Sequence, residues 1–187
     1  MKNAVHDLEP VLIGFDLPEN LEQLLSKLNG DLDRSKIDFT RSIPHITLWM
    51  GFIKRTQVGA LNLGLKKIFS SSSVKTELGA LETYNSEFGN VLSWEVQTTR
   101  ALYLFQNRIH LFFEPFREIC SDYKPLDKQT TNYINTFASK SLDNYSPHIT
   151  LGFGELIDQP EFDRRLTLRD PKMFTIGNYC TCISEIQ

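Results

Sequence analysis

A chain of 187 residues with 41% hydrophobic and 23% charged side chains is of ordinary globular composition, long enough for one domain or two small lobes sharing a cleft. Its formal net charge of −3 excludes a basic face built to grip long duplex nucleic acid, and leaves room for a small anionic ligand or a short nucleic-acid end. Three cysteines give no disulfide framework, and no apolar run approaches the ~20 residues that span a bilayer.

The first ten residues carry Lys2, Asp7 and Glu9 and lack the apolar stretch of a secretory leader. With reduced thiols, this leads to a cytoplasmic chain as the expectation. Residues 11–15 read as a buried strand, and 20–28 as a helix with Leu21, Leu24, Leu25 and Leu28 on one face. Asn29-Gly30 ends that helix, and 31–42 is polar loop with a short strand. A strand over 45–52 and a helix over 56–69 follow. Residues 74–84 and 91–97 form a hairpin. Thr98 or Thr99 caps a long helix running to about residue 120, kinked or ended by Pro115. Tyr133, Ile134 and Phe137 outline a helical face within 125–141. Residues 147–153 read as a strand, 162–168 as ambiguous, and 173–183 as a final strand in which Cys180 and Cys182 share a face.

One repeat stands out in this α+β tally. Pro44-His45-Ile46-Thr47-Leu48-Trp49-Met50-Gly51 matches Pro147-His148-Ile149-Thr150-Leu151-Gly152-Phe153-Gly154 at six of eight positions, 103 residues apart. Solenoid repeats run at roughly 20–50 residues, so this spacing fits two halves of a duplicated fold. Strand alternation puts His45 with Thr47, and His148 with Thr150, on a polar face, while Ile46, Leu48, Ile149 and Leu151 point the other way. Two histidines across a cleft form an acid–base pair, because an imidazole of pKa near ~6.5 can be neutral in one copy and protonated in the other. Each threonine hydroxyl can donate to a non-bridging phosphate oxygen.

The paired Pro-His-Ile-Thr-Leu segments resemble the signature of the two-histidine (2H) phosphoesterase superfamily, which includes 2′-5′ RNA ligase-like proteins and cyclic nucleotide phosphodiesterases. The resemblance implies one bilobal domain over residues 1–187, with two pseudo-symmetric α+β lobes, antiparallel sheets around a central cleft and helices outside. It implies that His45, Thr47, His148 and Thr150 are the signature residues. The substrate it implies is a nucleotide or short RNA end with a phosphate bridging ribose oxygens, such as a 2′,3′-cyclic phosphate or a 2′-5′ linkage.

Trp49 follows His45 by four positions, so unbroken alternation turns it to the polar face as a wall for a base, opposite Gly152 in the other copy. His110 reads as a hydrogen-bonded structural histidine and His6 as part of a flexible terminus. Arg41, Lys54 and Arg55 flank the first motif as solvated charges within reach of a phosphate. The motifs supply no metal-ligand set, so the expected enzyme is a cytoplasmic, metal-independent phosphodiesterase without cofactor, acting as a monomer away from membranes. The alternatives are a nucleotide-binding module on the same fold, and RNA ligation or end processing.

Overall fold

The computed structural model describes residues 7–30, 32, 37–154 and 161–187. His6 and part of the 31–42 loop lie outside the described residues. In chain order the elements are β1 (Leu8–Asp16), α1 (Glu19–Gly30), β2 (His45–Lys54), α2 (Arg55–Phe69), β3 (Ser73–Ser86), β4 (Gly89–Val96), α3 (Arg100–Phe113), α4 (Lys128–Asp143), β5 (His148–Phe153), β6 (Arg165–Arg169), β7 (Lys172–Ile176) and β8 (Cys182–Glu185). Thr99 caps α3 by accepting from the Leu102 N–H, and Asp127 caps α4 by accepting from the Thr130 N–H. The helix after Thr99 ends at Phe113, and a short 3₁₀ turn carries Pro115. Residues 178–180 form another 3₁₀ turn, in which Tyr179 and Cys180 take positive φ of 59° and 56°. That turn splits the expected last strand in two, so Cys180 and Cys182 do not share a strand.

Among the described residues, the strands form two four-stranded antiparallel sheets, in the orders β2-β1-β7-β8 and β5-β4-β3-β6. Each motif strand is therefore an edge strand, and β2 and β5 approach each other between the sheets. The first sheet joins the beginning of the chain to its end, while the second is built largely from strands of the middle. The main core packs Val11, Ile13 and Phe15 of β1 with Ile46 and Leu48 of β2, Ile149 and Leu151 of β5, and the apolar faces of α1, α2 and α3.

Both motif strands carry the same irregularity. On β1, Asp16, Phe15 and Gly14 stand opposite His45, Ile46 and Thr47, but the next residue, Ile13, stands opposite Trp49. On β4, Glu95, Trp94 and Ser93 stand opposite His148, Ile149 and Thr150, and Leu92 then stands opposite Gly152. Leu48 and Leu151 are thus the extra residues of two equivalent β-bulges. A bulge leaves backbone groups outside the ladder, and each bulge has a helix amide to serve it. Gln106 Nε2 of α3 donates to the Leu48 carbonyl at 3.4 Å, and Asn29 Nδ2 of α1 donates to the Leu151 carbonyl at 2.6 Å. The first bulge also needs Gly14, where a β-carbon would lie 2.6 Å from the Ile46 carbonyl oxygen.

Candidate active site

A cavity of about 560 Å³ lies between the sheets and receives His45 and Thr47 from β2 together with His148 and Thr150 from β5. All four residues are half-buried. The histidines are anchored identically. His45 Nδ1 lies 2.8 Å from the Ile43 carbonyl, and His148 Nδ1 lies 2.9 Å from the Ser146 carbonyl. A carbonyl only accepts, so Nδ1 carries a proton in both rings and Nε2 is the atom left for chemistry. Burial pushes the His45 pKa down to about 4; the Ile43 carbonyl opposes this and the nearby His148 adds to it. Burial also lowers the pKa of His148, against the pull of the Ser146 carbonyl. By this balance both rings are neutral near pH 7.

The rest of the wall comes from residues far away in the chain. Tyr84 of β3 brings its hydroxyl 3.4 Å from His148 Nε2, with the rings edge-to-face. Tyr145 donates its hydroxyl to the Thr47 carbonyl at 3.0 Å, tying the approach to β5 onto β2. Burial raises the pKa of both phenols, so both stay protonated. Glu82, Glu87, Glu95 and Lys140 also line the cavity, and Phe88, Tyr133 and Tyr179 give it an aromatic flank.

With 97% of this chain and 96% of theirs covered, the structures of E. coli LigT complexed with ATP and with 3′-AMP give TM-scores of 0.61 and 0.59 at 14% sequence identity. TT0787 of Thermus thermophilus gives 0.58 at 12% identity over 95% of each chain. The chain has the LigT fold. No family model matches the sequence, and no curated protein does.

Within the LigT fold, His45, Thr47, His148 and Thr150 come together on one cavity, and Trp49 does not join them. Trp49 is fully buried and stacks on Phe113 of α3, with ring centroids 5.3 Å apart. The bulge at Leu48 is the cause. It advances the alternation by one residue, so Trp49 points with Ile46 and Leu48 into the main core, while Met50 and Phe52 enter a second cluster on the other side. The expectation of a base-stacking Trp49 is corrected on this ground.

Arg41, Lys54 and Arg55 are ion-paired with Asp38, Glu118 and Glu9, and none of the three lines the cavity. His110 is buried on α3 with Nε2 3.9 Å from the Glu114 carboxylate, and its Nδ1 has no hydrogen-bond partner among the described residues. Tyr84 and Tyr145 are the site residues that sequence reasoning missed. Tyr84 sits in a polar stretch of β3 and carries no local pattern; Tyr145, two residues before the second motif, was the more findable of the two.

Among the described residues, no group of three His, Cys, Asp or Glu side chains is placed to hold a metal, and no helix is long and apolar enough to cross a membrane.

Proposed function

We propose that this chain is a phosphodiesterase of the 2H type that hydrolyses a nucleotide 2′,3′-cyclic phosphate or a 2′-5′ linkage, with His45 and His148 as its proton carriers. The observation that carries this reading is the matched anchoring of the two rings, which presents Nε2 of both histidines to a single cavity beside two threonine hydroxyls. A phosphate held by the Thr47 and Thr150 hydroxyls lies between two nitrogens of opposite duty. One Nε2 takes a proton from the attacking water, and the other gives one to the departing ribose oxygen. The threonine donors follow the charge that gathers on the non-bridging oxygens in the transition state. The bound anion also offsets the effect of burial, raising the pKa of the imidazole that must be protonated.

The ligands of the LigT structures, which include phosphate, 3′-AMP, ATP and NADP+, agree with a nucleotide phosphate in this cavity. Three carboxylates against one lysine along the described wall favour a substrate with few phosphates over a long RNA.

The test is turnover of a panel of 2′,3′-cyclic nucleotides and 2′-5′ dinucleotides, with and without EDTA. Wild type should be equally active in chelator. His45→Ala and His148→Ala should each lose roughly 10²–10⁴-fold in kcat. Near-normal turnover by either variant, or loss in EDTA restored by a divalent ion, removes the two-histidine reading.

A further inference from the structure

The two histidines share an anchor but differ in their neighbours. His148 stands opposite Glu95 and His45 opposite Asp16. Four residues earlier on those partner strands are Val91 and Leu12, which stand opposite Tyr84 of β3 and Phe174 of β7. Tyr84 and Phe174 thus hold the same place in the two sheets. Each lays its ring against the histidine of its own sheet, with centroids 5.8 Å apart for Tyr84–His148 and 6.5 Å for Phe174–His45. Only Tyr84 brings a hydroxyl. That hydroxyl reaches His148 Nε2, and the Thr150 side chain lies close enough to act on it.

The direction of this small chain follows from the anion it serves. A phosphate at Thr150 needs the Thr150 hydroxyl proton. The Thr150 oxygen is then an acceptor for the Tyr84 proton, and the Tyr84 oxygen in turn is an acceptor for a proton on His148 Nε2. Reversed, the chain would end in a Thr150 lone pair facing the phosphate. A hydrogen bond accepted from the charged ring favours the charged ring. Among the described residues no hydroxyl of this kind acts on His45, whose aromatic neighbour is Phe174.

Resting on the proposed phosphodiesterase reading, we infer that Tyr84 is a positioning residue that assigns the roles: with a phosphate bound at Thr150 it holds His148 as the imidazolium, the general acid, and leaves neutral His45 as the general base. In the step, the water oxygen forms a bond to phosphorus and its proton passes to His45 Nε2. The bond from phosphorus to the ribose oxygen breaks, its electron pair stays on that oxygen, and the proton of His148 Nε2 neutralises it. Exchange of one proton with solvent at each ring resets the site.

The other charged or titratable groups that line the cavity with His148 are Glu82, Glu87 and Glu95 from β3, β4 and the turn between them, Tyr133 and Lys140 of α4, His45 of β2, and Tyr145, Tyr179 and Cys180. All remain in Tyr84→Phe, which keeps the ring and removes the hydroxyl. The experiment is imidazole NMR titration of both histidines, with inorganic phosphate as the anion, in wild type and Tyr84→Phe. The His148 midpoint should fall by roughly one unit in the variant while that of His45 holds. The alkaline limb of the kcat profile should move down with it, because the acid must be protonated, and kcat should fall roughly tenfold. A His148 midpoint that does not move, or that rises, overturns the inference; a rise would mean that Tyr84 donates to a basic His148. These titrations are read without turnover, so their failure is separate from a failure of the phosphodiesterase reading, which the histidine-to-alanine variants decide.

Discussion

At the scale of single residues, Trp49 shows how far a side chain's duty depends on a neighbour in space. Its indole is sandwiched between the core and Phe113 and folds back over Gly51, where a β-carbon would come within 2.5 Å of the indole ring. Removing so large a buried side chain leaves a cavity. Trp49→Ala should therefore cost about 3–5 kcal/mol of folding stability in a urea titration, while KM for a nucleotide stays near the wild-type value in any variant that folds, such as Trp49→Phe. A strong rise in KM with unchanged stability would return Trp49 to the substrate. The histidines and threonines of the motifs were legible because they precede the bulge, where alternation still holds. Trp49 was not, because the bulge is set by pairing with Gly14 and Ile13, about 35 residues upstream, which no local pattern encodes.

Elements are held in register by polar side chains that look unremarkable in the sequence. Gln106 lies on the buried face of α3 and Asn29 at the end of α1, and each meets the carbonyl of a bulged leucine. Gln106→Leu and Asn29→Leu should each cost about 1–3 kcal/mol, the penalty for leaving a buried carbonyl without its donor, and denaturant titration should detect either. The comparison with exposed Gln23→Leu, on the outer face of α1, should show almost no change. The Leu-rich face of α1, the hairpin of β3 and β4 and the Thr99 cap were readable because each is local. α4 was only hinted at: its face is interrupted by Thr130, Thr131 and Ser141, buried polar residues whose partners lie at the Asp127 cap and along the helix backbone. The last strand was misread as continuous because the turn at Tyr179 depends on positive backbone angles that its residues do not advertise.

At the scale of the whole molecule, the buried histidines tie stability to acidity. His45, His148 and His110 all have pKa values lowered by burial. An unfolded histidine titrates near ~6.5, so as pH falls below that value the unfolded chain takes up protons that the folded one refuses. The stability each group contributes is complete above ~6.5 and is lost as pH falls toward its folded value; for His45 the loss runs down to about pH 4 and amounts to up to about 3 kcal/mol. Thermal melts should show Tm falling through this window, and His45→Gln should flatten part of the fall. An equal fall in the variant would assign the effect to other groups. The polar walls of the cavity were the least legible part of the chain, since Tyr84 reaches its histidine across 64 residues of sequence.

The pairing of β1 and β2 with the much later β7 and β8 in one sheet has a consequence for the chain's birth on the ribosome. The strands of the second sheet emerge in succession and can pair as soon as β6 is made. The first sheet must wait for β7, which fills the gap beside β1, and for β8, whose Cys182 carbonyl accepts from the Ile43 N–H. Ile43 is the residue whose carbonyl holds the ring of His45. The His45 ring is thus aligned through a segment translated after both motifs, and a nascent chain stalled before it would carry His148 on a finished sheet and His45 on an unfinished one.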